Sequence, residues 1–382
     1  MRSLDLEDEK TVVETSSGPR VGFQRLELAR FRNYRELSLA LAPGFNVFAG
    51  ANAQGKTNLL EAIYLLSTTR LLRGMRDHEA IMEGHDRALV TGDLVDSGTR
   101  LGITLERGVR KRATLNGMAL PRAADIIGRA PSVCISTLDL SIVKGEPSER
   151  RLFLDIELSQ LYPSYLRDLA HYRRALEQRN SLLRAAQERA LPPDVFEPWE
   201  QQMATHGAAL RDTRLRFVRD VQEVARRLHG SLSDGETLSL SYLPKDDSAG
   251  SEGLLEALQR HRPSDVARGS TQIGPHRDDL QILIDDREGR LFGSQGQQRT
   301  AVIAIKLATL EHATEELGVA PILLLDDILS DLDERRRAHL TEVVLHAAGQ
   351  AVLTCTESSA AGADILRLAR VFKVVAGTVD EA

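Results

Sequence analysis

The spacing of apolar residues changes along the chain and predicts strands at both ends with long helices between them. Residues 21–50 read as strands, and the last of these, FNVFAG, runs into a glycine-rich loop. The following NLLEAIYLLS is apolar on nearly every side, which is typical of a buried helix. Segments 87–95, 99–106 and 111–120 predict short strands, and LNGM at 115–118 predicts a hairpin with Asn-Gly at its tip.

From about Pro147 to Leu228 the apolar period becomes helical. Pro163 is expected to begin a new helix, because proline suits a first turn. LPPDVFEP at 191–198 interrupts the pattern before a second periodic stretch, so an antiparallel helical hairpin is predicted. In the first arm, alternating steps of four and three give the heptad positions Leu158, Tyr162, Tyr165, Leu169, Tyr172, Leu176, Arg179 and Leu183.

Strand character returns at 236–243, and a loop at 244–253, a short helix and a C-terminal α/β stretch are expected to follow. We therefore expect an α/β fold. Its globular head is split over 21–130 and 235–382, and a helical lobe at 131–234 is inserted in its middle. Residues 1–20 are acidic and lack the apolar region of a signal peptide, so we expect a disordered tail.

The composition indicates which class of protein this is but does not identify its function. The 382 residues are 42% apolar and only 4% aromatic, so a core of Leu, Ile, Val and Ala is expected. No run of about 20 uncharged apolar residues occurs, and no membrane span is predicted. Cys134 and Cys355 lie far apart in apolar segments, which indicates buried thiols in a reducing cytoplasm. The net charge of −6 means that any DNA contact depends on a local basic face.

A phosphate-binding loop is predicted between the strand FNVFAG and its helix. Small residues allow backbone N–H groups to surround phosphates, and the helix directs its N-terminus at the anion. Lys56 supplies a cation for the β and γ oxygens of ATP, and Thr57 offers a hydroxyl to Mg²⁺. The alternative is an ordinary glycine turn that caps a helix. The eight residues fit GxxxxGK[ST] at every fixed position and are Gly50, Ala51, Asn52, Ala53, Gln54, Gly55, Lys56 and Thr57.

A pair of carboxylates follows a continuous apolar run in PILLLDD at 321–327. Such a run suits a central parallel strand, and ligands bind beyond the carboxyl ends of these strands. Asp326 is expected to help hold Mg²⁺, and Asp327 to orient or deprotonate an attacking water. A strand end with a solvated turn is the alternative interpretation.

A third motif, LFGSQGQQRT at 291–300, precedes a helix expected to begin near residue 296. Ser294 has the character of a helix N-cap, and Ser294, Gly296 and Gln297 together suit an anion. This element and Lys56 cannot easily enclose one γ-phosphate within a single head. We therefore expect Ser294 of one copy to cover nucleotide bound to another copy. A plain capped helix is the alternative.

The order of these motifs resembles that of the ABC and SMC class of ATPases, and more narrowly the chain resembles the bacterial RecF family of recombination-repair proteins. The matching stretches, which include GPHRDDL, GSQGQQR and LLLDDILSDLD, lie at 28–67, 149–183, 271–280, 293–308 and 323–333. The resemblance implies a P-loop NTPase head of ABC/SMC type and an ATP-dependent homodimer. It also implies a weak, Mg²⁺-dependent and DNA-stimulated ATPase that binds duplex and gapped DNA, with RecR and RecA as partners. Ser330–Asp333 resembles the loop that lines the dimer seam in this class.

The chain departs from the family pattern at two places. The family usually has a Phe-Ser-Pro-Glu-Asp-Leu-like segment, whereas this chain reads ISTLDL at 135–140. No role beyond a polar contact by Asp139 is carried over to it. The strand after the carboxylate pair ends in Thr354-Cys355-Thr356 rather than in a histidine, so a histidine switch is not supported.

Some alternatives stay open from the sequence. His276 and Arg277 either face the nucleotide or brace a sheet.

Three rival functions also remain. They are a P-loop metabolite kinase, another SMC-like repair ATPase and a scaffold that binds ATP without turnover. An ABC transporter subunit is disfavoured because its signature would lie much closer to Lys56. Two groups of basic residues are candidates for DNA contacts. The first, Arg110–Arg112, lies on the predicted hairpin. The second lies on the predicted helices, where a solvated helix face is the alternative, and consists of Arg173, Arg174, Arg211, Arg214, Arg216 and Arg219.

Overall fold

The computed structural model of the chain describes residues 21–74, 76–95, 97–233, 235–347 and 349–382. The acidic tail expected at 1–20 lies outside the described residues. Among the described helices, none has the length and apolar character that a bilayer span requires.

Strands dominate the first third and the last part of the chain, and long helices fill the middle. The strands are β1 (Phe23–Phe31), β2 (Tyr34–Ala40), β3 (Phe45–Ala49), β4 (Arg87–Leu94), β5 (Arg100–Glu106), β6 (Val109–Leu115), β7 (Met118–Ala119), β8 (Ser132–Ser136), β9 (Leu238–Leu243), β10 (Asp279–Ile284), β11 (Arg287–Glu288), β12 (Ile322–Asp326), β13 (Ala351–Cys355), β14 (Ala369–Val375) and β15 (Thr378–Glu381). The helices are α1 (Lys56–Thr68), α2 (Leu140–Lys144), α3 (Pro147–Leu161), α4 (Pro163–Glu188), α5 (Glu197–Leu232), α6 (Gly250–Arg268), α7 (Gly289–Phe292), α8 (Gln295–Leu317), α9 (Glu334–Ala347) and α10 (Ala363–Leu368).

A mostly parallel sheet carries the predicted nucleotide site. Its strand order is β15-β14-β3-β13-β12-β8, and within it β3, β8, β12, β13 and β14 run parallel. The residues Ile322–Leu325 of β12 are all buried, as the continuous apolar run predicts for a strand covered on both faces. Because β3, β13 and β12 are neighbours, the loop after β3 and the carboxylates after β12 share one edge of the sheet.

A second, antiparallel sheet covers the other side of α1. Its strand order is β2-β1-β4-β5-β6-β7. Phe23 from this sheet, Leu59 from α1 and Leu324 from the parallel sheet belong to one buried cluster, so α1 is packed between the two sheets. The predicted hairpin at LNGM is confirmed, because β6 pairs with β7 through Leu115 and Met118.

The helical hairpin is also confirmed. Pro163 occupies the first turn of α4, as predicted. Arg179 of α4 pairs with Glu200 near the start of α5. Tyr165, earlier in α4, bonds to Arg214, later in α5. These two pairs show that the helices run antiparallel.

Two predicted boundaries differ from the structure. The division at residue 131 puts β8 in the helical lobe, but β8 pairs with β12 in the parallel sheet, with Ser136 opposite Asp326. Helix α6 begins at Gly250 inside the predicted loop and spans 19 residues, so it is not short. Its small and polar N-terminal residues suggest a loop, whereas the buried side chains of Leu254 and Leu258 give it a packed face. The division into a split head and an inserted lobe otherwise stays a prediction.

Candidate nucleotide-binding site

The loop between β3 and α1 is shaped by close backbone packing at its two glycines. A Cβ atom on Gly50 would lie 2.4 Å from the carbonyl oxygen of Val374, so no larger residue fits there. Gly55 has a φ of 116°, which favours glycine. A Cβ at Gly55 would also approach the Asn33 amide within 2.5 Å. The two glycines in the GxxxxGK[ST] pattern are therefore required by the packing of other segments of the same chain against the loop.

The remaining loop residues are held in place by hydrogen bonds within the loop and from outside it. The Nζ atom of Lys56 donates to the carbonyl oxygens of Gly50 at 2.5 Å and Ala51 at 2.9 Å. The side chain of Gln54 accepts the backbone N–H of Ala376 at 2.7 Å, so it anchors the loop to the β14–β15 turn. Ala53 adopts a left-handed backbone with a φ of 64°. The loop is a preformed cradle, and the Lys56 ammonium is folded into it.

A hydroxyl and a carboxylate meet where β12 and α1 approach each other. Thr57 Oγ1 donates to Asp326 Oδ1 at 2.8 Å, and Thr354 Oγ1 donates to the same oxygen at 2.8 Å. The backbone N–H of Asp327 donates to Thr354 Oγ1 at 3.0 Å. Thr354 therefore positions both Asp326 and Asp327. It lies near the end of β13, the strand whose end has no histidine. Burial raises the pKa of Asp326, although the two hydroxyl hydrogen bonds oppose this shift.

Asp327 has a strained backbone next to this pair. Its φ is 55°, a left-handed conformation that is uncommon for residues other than glycine and is concentrated at functional sites. Ser330 Oγ donates to Asp327 Oδ1 at 2.8 Å. No hydrogen bond from the described residues reaches the second carboxylate oxygen of Asp327, and this oxygen can accept one from a water molecule.

The donor set around Thr57 and Asp326 suits Mg²⁺ better than a transition metal. Magnesium prefers hard oxygen ligands and is bound by one or two carboxylates together with phosphates and water. Within the described ranges, no group of three or more His, Cys, Asp or Glu residues could hold a metal ion. A single carboxylate beside a hydroxyl therefore fits a cation that takes its other ligands from a nucleotide and water.

An open cavity of about 540 Å³ lies over the loop, and two arginines on its wall were missed by the sequence analysis. Arg32 makes a bidentate ion pair with the buried Glu61 of α1 at 2.7 and 2.9 Å. Arg73 donates to Asn58 Oδ1 at 2.7 Å. The residues that line the cavity are Arg32, Asn52, Ala53, Gly55, Lys56, Thr57, Asn58, Arg73 and Asp327.

The third motif forms a capped helix start, as predicted. Ser294 Oγ accepts the backbone N–H of Gln297 at 3.3 Å, and Gln297 Oε1 accepts the backbone N–H of Ser294 at 2.7 Å. The Gln297 amide donates in turn to Glu236 Oε1 at 2.7 Å. Because the Ser294 oxygen acts as an acceptor in the cap, its O–H remains free to donate to an anion. The helix begins at Gln295, within one residue of the predicted start.

The structure does not bring the third motif together with the phosphate loop in one chain. Ser294 and Gly296 are exposed to solvent, and neither they nor Gln297 line the cavity around Lys56. The loop, Asp326 and Asp327 do come together. The predicted site residues therefore form two separate surfaces of the molecule.

A buried ion cluster links the helix that begins at the third motif to the nucleotide site. Lys306 of α8 donates to Glu157 of α3 at 2.7 Å and lies 3.4 Å from Asp139. Burial alone would lower the pKa of Lys306, but the carboxylates of Asp139 and Glu157 raise it, so Lys306 is charged. Asp139 accepts from Ser136 Oγ at 2.8 Å, and Ser136 lies opposite Asp326 in the sheet. The polar contact expected of Asp139 is therefore present.

The GPHRDD segment braces the helical lobe. His276 Nδ1 and the Tyr172 hydroxyl are 2.6 Å apart, and His276 Nε2 lies 3.1 Å from the carbonyl oxygen of Thr271. The Arg277 guanidinium donates to the same carbonyl oxygen. Neither His276 nor Arg277 lines the cavity around Lys56 of the same chain, and their side-chain hydrogen bonds are to α4 and to a loop rather than to a sheet.

Two of the arginines suggested for DNA are buried in ion pairs. Arg211 makes bidentate contacts with both Asp278 and Asp246. Arg214 donates to Asp155 at 2.7 Å and is 2% exposed. The DNA interpretation is wrong for these two, because their guanidinium groups already have carboxylate partners inside the lobe. Arg110, Arg174 and Arg216 are exposed.

Comparison with known proteins agrees with this geometry. Residues 23–379 match the family model described as the RecF/RecN/SMC N terminal domain. A DNA replication and repair protein RecF from Lachnoclostridium phytofermentans is 39% identical over 93% of this chain and 98% of its own length. The corresponding protein of Symbiobacterium thermophilum is 40% identical over 93% of this chain and 96% of its own length.

A solved structure of the recombination mediator protein RecF-ATPrS in the RecFOR pathway superposes with a TM-score of 0.85 at 32% identity. The match covers 95% of this chain and 98% of that one. The fold is thus the ATPase head of the RecF and SMC proteins. Together these similarities show that the chain belongs to the RecF family.

Proposed function

We propose that the protein is an ATP-driven clamp on DNA that acts in the repair of single-strand gaps. The loop Gly50–Thr57 binds the triphosphate of ATP, with Lys56 against the β and γ oxygens. Thr57 and Asp326 would hold Mg²⁺, which would neutralise charge on the phosphates. Asp327 orients the attacking water. Arg73 adds positive charge to the wall of the same cavity, while the charge of Arg32 is balanced by Glu61.

The observation that carries the proposal is the separation of the two surfaces. The cavity over Lys56 is open, while the N-terminus of α8 presents Ser294 and Gly296 to solvent elsewhere on the molecule. A second copy can bring its Ser294 hydroxyl and helix N–H groups to the γ-phosphate, so nucleotide joins two heads. Hydrolysis removes the bridging phosphate contacts, and the heads separate. Such a switch needs only a difference in nucleotide affinity between the two states.

The DNA and partner assignments rest on the family. A solved relative is described as a recombination mediator in the RecFOR pathway, and we propose the same setting here, with RecR and RecA as partners. Duplex DNA beside a gap is the proposed ligand of the dimer. Among the arginines first considered, Arg110, Arg174 and Arg216 are candidates for phosphate contacts, because they are exposed and no carboxylate of the described residues pairs with them. The other exposed ones, Arg112, Arg173 and Arg219, are in ion pairs.

The experiment that tests the proposal measures steady-state ATP hydrolysis with Mg²⁺, with and without duplex DNA. A clamp of this kind hydrolyses ATP slowly and is stimulated by duplex. A scaffold that binds ATP without turnover shows no hydrolysis in either condition. A metabolite kinase is indifferent to duplex and is stimulated by a small-molecule acceptor.

A further inference from the structure

A second cavity lies in the helical lobe, and the proposed clamp mechanism does not use it. Its volume is about 350 Å³, which is within the range of ligand pockets. Its lining comes from α3, α4, α5 and the loop that precedes β10. The cavity shares no lining residue with the nucleotide cavity.

The interior of this cavity is largely apolar. Leu169 and Leu210 are 7% and 0% exposed and lie beside the ring of Tyr172. Leu152 and Leu176 are only partly buried, so the apolar lining can be reached from solvent. Removing a small apolar group from water into such a lining is favourable.

Three arginine side chains, those of Arg151, Arg173 and Arg214, also line the cavity. Arg214 donates to Asp155 Oδ1 at 2.7 Å, and Arg173 donates to Asp155 Oδ2 at 2.7 Å. One carboxylate therefore neutralises only one of two guanidinium groups. The side chain of Arg173 is 54% exposed, which leaves its remaining N–H groups accessible to a ligand.

Arg151 is half-buried and has no carboxylate partner among the described residues. Its Nη1 donates to the carbonyl oxygen of Asp278 at 2.8 Å. No carboxylate of the described residues lies within 4.0 Å of it as an ion-pair partner. Burial lowers the pKa of Arg151 and the neighbouring Arg214 lowers it further, while Asp279 and Asp155 oppose this shift. An anion placed here would stabilise the charged guanidinium against the repulsion from Arg214.

The other polar groups of the lining do not supply this anion. Glu149 lines the cavity, but no ion pair joins it to these arginines among the described residues. Burial lowers the pKa of His276 to about 4, so its ring is neutral at pH 7. Both of its nitrogens are already used, by Tyr172 and Thr271. The cavity thus combines an apolar interior with unbalanced positive charge.

We propose that this cavity is a docking site for a peptide segment of a partner protein that presents an apolar side chain next to a carboxylate. The apolar side chain packs against Leu169, Leu176 and Leu210. The carboxylate accepts charge-assisted hydrogen bonds from Arg151 and Arg173. A nucleic acid fits this lining less well, because its sugar–phosphate chain has no aliphatic group to place among leucines.

The test uses the full-length protein without nucleotide, so its result is independent of the clamp proposal. The probe is the peptide acetyl-Asp-Leu-Asp-Phe with a free carboxyl terminus, titrated by ligand-observed NMR. The neutral peptide acetyl-Asn-Leu-Asn-Phe-amide is the matched control ligand. A thymidine tetranucleotide tests the nucleic-acid alternative in competition with the peptide.

We expect the acidic peptide to bind at least fivefold more tightly than the neutral peptide. Arg151→Gln and Arg173→Gln each weaken its binding about tenfold. Arg174→Gln, which changes the same charge at the adjacent exposed position outside the cavity, leaves binding unchanged. Because Arg173 is half exposed, its variant is expected to fold, and a thermal melt checks both variants. Equal binding of the two peptides, equal effects of Arg173→Gln and Arg174→Gln, or displacement of the peptide by the tetranucleotide would each overturn the proposal.

Discussion

The hydroxyl of Thr57 donates a 2.8 Å hydrogen bond to Oδ1 of Asp326, across 269 positions of the sequence. The contact exists because β3 and β12 flank β13 in a parallel sheet, and their carboxyl ends lie at the same edge. It places the proposed magnesium ligands side by side. Asp327 directly follows β12, so the end of this strand also positions its carboxylate.

Replacing Asp327 by asparagine should separate binding from hydrolysis. We expect ATP turnover to fall about 10²- to 10⁴-fold, as when a general base is removed. ATP affinity should change little, because the loop and Thr57 remain intact. A quench assay of ATP hydrolysis and a nucleotide-binding titration measure the two effects. Asp364→Asn, on an exposed helix, is the matched control. Unchanged turnover in Asp327→Asn would exclude the assigned role.

Arg179 is the cation on which the helical hairpin depends most. It is fully buried and donates to Glu200, Asp265, Thr271 and the carbonyl oxygen of Leu258 at 2.8 to 3.1 Å. Arg179→Met leaves the buried carboxylate of Asp265 without a cation, whereas Glu200 keeps its ion pair with Arg262. An unpaired buried charge of this kind costs about 3–5 kcal/mol of the free energy of unfolding.

Urea unfolding measures this loss. The control is Arg174→Met on the exposed face of the same helix, for which a change within about 0.5 kcal/mol is expected. Equal stability of the Arg179 and Arg174 variants would show that the buried network contributes nothing.

His276 predicts a pH dependence of stability. Its pKa is lowered from 6.5 to about 4 by burial, so the unfolded chain binds a proton between these values while the folded chain does not. Stability is therefore complete above pH 6.5 and falls as the pH drops towards 4, by at most about 1.4 kcal/mol per unit. Urea unfolding at pH 7 and pH 5 should show a smaller loss in His276→Gln than in the unmodified protein. The same loss in both proteins would contradict this reading.

The Arg110→Gln variant tests most directly whether an exposed arginine contacts DNA. It is exposed on β6 and has no ion-pair partner among the residues that the structure describes. Arg110→Gln should reduce the slope of log K against log salt for duplex binding by about 1. Arg122→Gln, in which the lost cation is paired with Asp125, should leave the slope nearly unchanged. If the two variants behave alike, Arg110 is not a specific phosphate contact.

The parts of the site that are contiguous in sequence were predictable. A strand, a glycine loop and a helix follow one another in the chain, so the loop Gly50–Thr57 and its secondary structure could be predicted together. The cap at Ser294 was likewise visible, since Gln297 lies three residues beyond it. The apolar run before Asp326 predicted a buried strand for the same local reason.

Contacts between distant segments could not be predicted in this way. Arg211 looks like a solvated or DNA-facing helix residue until Asp278, 67 positions away, is seen beside it. Arg32 and Arg73 reach the nucleotide cavity only because Glu61 of α1 binds both the Arg32 side chain and the Arg73 backbone. Strand β8 belongs to the sheet through its pairing with β12, which no local pattern reveals.

We propose that ATP joins two copies of the molecule through Ser294. Sedimentation velocity with ADP, with ATP, and with ATP plus duplex tests this proposal in the unmodified protein and in Ser294→Arg. We expect a monomer with ADP, a dimer with ATP that duplex stabilises, and a Ser294→Arg variant that binds ATP but stays monomeric. A protein that remains monomeric at saturating ATP and Mg²⁺, with and without duplex, would contradict it.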